Sequence, residues 1–179
     1  MTLDIRWLAP AAIVSIAAPQ CFAVQYMSVE QARSLIFAAA QEFVAQPVTL
    51  SREQALRIER QAGVPARMGK VDVWQARARG APIGWFIIDQ VIGKHELFTY
   101  ALGINLDGTV RQFQIIDYRE TYGYQVRELK WRDQFVGKTL DGSLEIGKDI
   151  ANISGATLSC RHLTDGIKRL LAVHQVALR

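Results

Sequence analysis

Apolar and polar residues change period twice along the chain. Val71, Val73, Gln75 and Arg77 alternate with Asp72, Trp74 and Ala76, the period of two that marks a strand. Arg79-Gly80-Ala81-Pro82 then predicts a turn, and Trp85-Phe86-Ile87-Ile88-Asp89-Gln90-Val91-Ile92 a second strand, apolar enough to be central. Gly93-Lys94-His95-Glu96 turns the chain into a third strand over residues 97–106. Asp107-Gly108 is a strong hairpin signal, and residues 109–118, with Val110, Phe113, Ile115 and Ile116, make a fourth strand. Connections this short exclude parallel pairing, which needs a crossover of a dozen or more residues.

On either side of this block the spacing lengthens to that of a helix. Ser28 with Gln31, and Ser51 with Gln54, are capping-box patterns. Leu35, Ile36, Ala39 and Phe43 extend the first predicted helix as far as Pro47. Ala55, Leu56, Ile58 and Ala62 carry the second, which Gly63 and Pro65 stop. Beyond the fourth strand, residues 126–136 predict a short helix with Leu129, Trp131, Arg132 and Phe135, ended by Gly137. Residues 138–148 are a polar connection, and Leu158, Leu163, Ile167, Leu170, Leu171 and Val173 stripe a final helix. The expectation is an α+β fold: an antiparallel sheet of about four strands flanked by helices, preceded by a helical extension over residues 24–66 that packs on the main body. Docking to a partner is the competing role for that extension.

Composition narrows the classes. A chain of 179 residues that is half hydrophobic buries a proper core as one main domain. A net charge of +4, with no cluster of five or more Lys and Arg, gives no footprint for nucleic acid. Residues 1–23 predict a secretory signal: Arg6 near the start, an apolar run from Trp7, and Cys21-Phe22-Ala23 as a cleavage site. An uncleaved anchor is the competing reading, disfavoured by Pro10, Pro19 and Gln20 within the run. Removal of the signal leaves Cys160 as the one cysteine, so no internal disulfide forms, and its expected role is a small buried helix residue. His162 and His174 stand twelve apart with no third ligand near them, and His95 sits in a turn, so no metal set is predicted.

The stretch with chemistry is Ser154-Gly155-Ala156-Thr157-Leu158-Ser159. Ser154 is expected to cap the final helix. Gly155 and Ala156 leave room for a bulky group, and Thr157 presents a hydroxyl in a first turn whose unpaired N–H groups and dipole suit a phosphate. Capping alone is the commoner use of such residues. A hydrolase built on Ser154 or Ser159 is the weaker alternative, since no Gly-x-Ser-x-Gly is present.

Ser-Gly-Ala-Thr followed by Ser159 resembles the flavinylation motif of the FMN-binding domain family, which includes the periplasmic flavin subunits of the Rnf complex and of the sodium-pumping quinone reductase. The resemblance is strong over residues 118–171, weaker back to about residue 71, and sets the domain at residues 67–179. It implies FMN joined by a phosphoester to Thr157, attached by a separate flavin transferase that uses FAD. Ser154, Gly155, Ala156, Leu158 and Ser159 accompany it as cofactor-binding residues. The loop after the fourth strand approaches the flavin ring in the family, and Thr121 and Gly123 match its threonine and glycine. Glu120 is a ring contact or a solvated strand end, and Lys138 or Arg127 a cation for the reduced flavin. The family often carries an aspartate three residues before the motif serine; Ala151 stands there, with Asp149 the nearest acid and Asn152 closer in. The implied function is a periplasmic electron carrier working with redox partners at the membrane surface, rather than a stand-alone enzyme. A flavin-free periplasmic interaction module of the same fold is the alternative.

Overall fold

The computed structural model describes residues 26–120 and 123–179; the predicted signal and Thr121 lie outside them. Four long strands form the expected meander: β3 (Gly69–Ala78), β4 (Ala81–Ile92), β5 (Leu97–Ile104) and β6 (Val110–Asp117), each antiparallel to the next. The β3–β4 turn is tighter than predicted. Arg79 and Gly80 take it at φ 50° and 77°, and Ala81 and Pro82 already belong to β4, the twisted two-residue geometry that suits a hairpin.

The first helix is shorter than its spacing predicted. α1 (Val29–Ile36) stops well before Pro47, and the chain then forms β1 (Glu42–Ala45) and β2 (Val48–Leu50), both antiparallel to β3 on its outer edge. They are two pieces of one edge strand interrupted at Pro47, with the Gln46 N–H still donating to the Val73 carbonyl at 2.9 Å. Proline has no N–H for a ladder, so an edge is where a sheet tolerates it. The sheet therefore has six strands in the order β1-β3-β4-β5-β6, with β2 beside β3.

Alternation gives the sheet two apolar faces. Ala76, Phe86, Ala101 and Ile116 face α1 through Ala32, Ile36 and Phe37. Arg33 of α1 lays its guanidinium over the rings of Phe43, Trp74 and Phe86, at 4.8–5.5 Å from their centres, a cation–π contact that fixes the helix on this face. The opposite face holds the main core. Ile87, Phe98, Tyr100, Leu102 and Phe113 pack there against α4 (Thr157–Val173) through Cys160, Leu163, Ile167 and Leu170.

α2 (Arg52–Ala62) lies beside the C-terminal part of α4, where Ile58 and Ala62 meet Ala172 and Val173. Gly166 lets α4 sit close on β5: a Cβ there would stand 2.6 Å from the Tyr100 hydroxyl. Arg169 locks the same helix to β4 by pairing with Asp89, whose Oδ2 also accepts from Tyr100 at 2.9 Å. The predicted helix over 126–136 is broken into a 3-10 turn (Tyr124–Arg127), α3 (Leu129–Arg132) and a second 3-10 turn (Asp133–Phe135). Among the described residues no helix is long and apolar enough to cross a membrane.

Candidate functional site

The sheet and α4 together aim the start of that helix at the β4–β5 turn. A cavity of about 340 Å³ lies between them, lined by Lys94, His95, Glu120, Gly155, Ala156, Thr157, Leu158 and Ser159. Five of the residues singled out in the sequence, Gly155 to Ser159, thus meet on one cavity with Glu120.

The helix begins later than Ser154 would place it. Its first residue is Thr157, its cap position is Ala156, and among the described residues no side chain caps the first-turn N–H groups. The reason is the turn before it. The Ala156 N–H donates to the Ile153 carbonyl at 3.0 Å, with Gly155 at φ 80°, a left-handed position that glycine fills without strain. Ser154 therefore sits exposed on the turn instead of at the cap. Ala156 is buried because the loop after β6 presses on it. A Cβ on Gly123, which has φ 84°, would stand 2.4 Å from the Ala156 Cβ and 2.8 Å from the Tyr118 hydroxyl. Glycine at 123 thus serves both the backbone conformation and the close approach.

Thr157 is half-buried, and its Oγ1 accepts from Asn152 Nδ2 at 3.0 Å. Ser159 is buried and its Oγ accepts from the Tyr118 hydroxyl at 3.4 Å. Both first-turn hydroxyl residues line the cavity, but Ser159 is buried and bonded to Tyr118, whereas Thr157 is half-buried and the more accessible of the two.

Glu120 lines the cavity with its carboxylate turned to the backbone. Oε1 accepts from the N–H groups of His95 and Glu96, and the side chain occupies the space a Cβ on Gly93 would need. Burial raises the Glu120 carboxyl, but the N–H groups of Glu96, His95 and Lys94 outweigh it and hold it below its usual range. The carboxylate thereby shapes the turn that presents Lys94 and His95, two residues that the sequence places in a turn without a role in the site. His162, one turn along α4, fixes that loop from the other side: its Nδ1 bonds the Ile92 carbonyl at 2.7 Å.

Other predicted residues lie away from the cavity. Lys138 pairs with Asp149 at 2.7 Å, and Arg127 stacks on the Tyr26 ring. Asp149 also accepts from the Glu145 N–H and the Ser143 hydroxyl. Burial raises its carboxyl, and the bonds from Lys138 and Glu145 prevail and lower it. The acid nearest in sequence to residue 151 is thus committed to its own loop. Trp131 and Phe135 are core residues packed edge-on against Phe113, and Trp131 adds a second role described below. Thr121 is outside the described residues, although its neighbours Glu120 and Gly123 border the site.

No curated protein sequence matches the chain. Among solved structures, that of Shewanella oneidensis NqrC is similar at 15% sequence identity, over 78% of this chain and 70% of that one, with a TM-score of 0.49. The family model described as FMN-binding domain matches residues 93–172, the stretch that runs from the β4–β5 turn, through the Gly123 loop and the Ser-Gly-Ala-Thr turn, to the end of α4. The resemblance read from the motif holds over this stretch: residues 93–172 match the FMN-binding domain family.

Proposed function

We propose that this chain is an exported electron-transfer flavoprotein that carries FMN on Thr157. The observation that supports it most is the start of α4: N–H groups without a side-chain cap, a threonine oxygen at their edge, and a cavity beside them. These residues fit a flavin phosphate. A helix N-terminus with free N–H groups favours an anion, Lys94 adds positive charge across the cavity, and 340 Å³ is within the range of small-ligand sites. When bound, FMN supplies the redox chemistry, and the protein supplies binding and orientation. Thr157 would hold the phosphate as a phosphoester. Gly155 and Gly123 keep the turn and loop in place. The exposed Leu158 on α4, with Ile92 and Leu97 flanking the turn, offers apolar cover beside the cavity.

A separate flavin transferase using FAD would make the bond, and electrons would pass to membrane-bound or periplasmic redox partners. The periplasmic location follows from the signal predicted over residues 1–23. Co-expression of the full chain with such a transferase, followed by a denaturing gel under ultraviolet light, tests the linkage. A fluorescent band in the wild type and none in Thr157→Ala supports it. A dark wild-type band from protein that is yellow before denaturation leaves FMN binding without the bond, and colourless protein favours the flavin-free module.

A further inference from the structure

The Thr157 hydroxyl is held before any flavin arrives. Asn152 stands five residues earlier, and its Nδ2–H donates to Thr157 Oγ1 at 3.0 Å. We propose that Asn152 is a positioning residue for flavin attachment, an inference that rests on the reading of Thr157 as the attachment site.

The loop from residue 151 to residue 157 is braced at both ends. At one end, the Ala151 N–H donates to Gln134 Oε1 at 2.7 Å, and its carbonyl accepts from Trp131 Nε1 at 2.7 Å. Both partners come from the short helical segment around α3, and Trp131 is itself buried against Phe113 and Phe135. At the other end, the 153–156 turn is closed by its own backbone bond. Asn152 lies between these fixed points, so its short side chain reaches Oγ1 with few rotamers to lose.

The chemistry of attachment needs this oxygen in one orientation. Oγ1 forms a bond to the phosphorus in the FMN half of FAD, the bond from that phosphorus to the bridging oxygen breaks, and AMP leaves. The hydroxyl proton passes to a base of the transferase, and no atom changes oxidation state. An N–H donor on Oγ1 fixes the oxygen and turns the hydroxyl hydrogen away from Asn152, toward the side from which the transferase approaches. Asn152 is exposed and Thr157 half-exposed, so an enzyme reaches both. Ala151 brings no polar side chain, and Asp149 is bound to Lys138, Ser143 and Glu145. The amide of Asn152 takes the task.

The test is the initial rate of FMN incorporation into the purified chain with a flavin transferase and FAD, followed by intact mass. Asn152→Ala is expected to lower kcat about tenfold, the worth of one well-made hydrogen bond, with the KM for FAD and the melting temperature unchanged. Equal rates for Asn152→Ala and wild type would overturn the role while leaving attachment at Thr157 standing. A loss that appears only in the KM for FAD would also overturn it, because a positioning residue acts on the reacting oxygen and not on dinucleotide affinity. No incorporation into the wild type would remove the attachment reading and this role with it.

Discussion

The helices of this fold begin in two ways. At α2, Ser51 Oγ accepts from the Gln54 N–H at 3.2 Å and Gln54 Oε1 accepts from the Ser51 N–H at 3.0 Å; α1 repeats the box with Ser28 and Gln31. In each of these starts the box pairs two backbone N–H groups, those of the cap and of the third helical residue, with side chains. At α4 the cap position is Ala156, and among the described residues no side chain caps the first turn. Of the three longer helices, α1 and α2 thus carry side-chain caps and α4 does not, and the uncapped start of α4 borders the cavity with Lys94 and Glu120. Unpaired donors at a helix start are a cost to stability and a resource for binding an anion.

Substitutions break or sharpen this contrast. The largest effect belongs to Gly123→Val, which brings side-chain atoms onto Ala156 at a positive φ. It is expected to cost about 3 kcal/mol, seen as a lower urea midpoint, and to reduce flavin retention in the same protein. Ser51→Ala removes a working cap and should cost about 1 kcal/mol. Ser154→Ala, by contrast, should change stability by less than about 0.5 kcal/mol, because that serine caps nothing; a loss equal to that of Ser51→Ala would show that the two starts are alike.

The smallest effect is at the far end of α4, which is sealed where its start is open. His174 is buried against the Asp107-Gly108 turn. Burial, and then the charge of Arg179, hold it below its ordinary value, with Asp107 acting in the opposite sense. The unfolded chain takes up a proton on this histidine near pH 6.5 while the folded one resists, so the contribution is intact above that pH and is lost as pH falls below it. Urea midpoints compared at pH 7.5 and 5.5 should drop at the lower pH, and His174→Gln should flatten that drop.

What the sequence disclosed is what short-range physics determines. The boxes at Ser28 and Ser51 are bonds between residues three apart, and both form. The Asp107-Gly108 hairpin and the apolar run at residues 85–92 are equally local. β1 and β2 escape a local reading because strands of four and three residues exist only through pairing with β3, some twenty to thirty-five residues away, while Phe43 fits helical spacing. Thr157 was legible from its motif. The cap was misplaced at Ser154 because the left-handed Gly155 delays the helix. Lys94, His95 and Asn152 escaped notice as site residues because they reach the cavity or the hydroxyl only through contacts made by the fold: Glu120 gathering the β4–β5 turn, and Trp131 with Gln134 fixing Ala151. Lys138 looked available until Asp149 appeared beside it.

The open start of α4 is the centre of the account, and intact mass tests it most directly. The chain co-expressed with a flavin transferase is expected to gain the mass of one FMN less one water, and Thr157→Ala to gain nothing. An unchanged wild-type mass, or the same gain in Thr157→Ala, would contradict attachment at the open end of this helix.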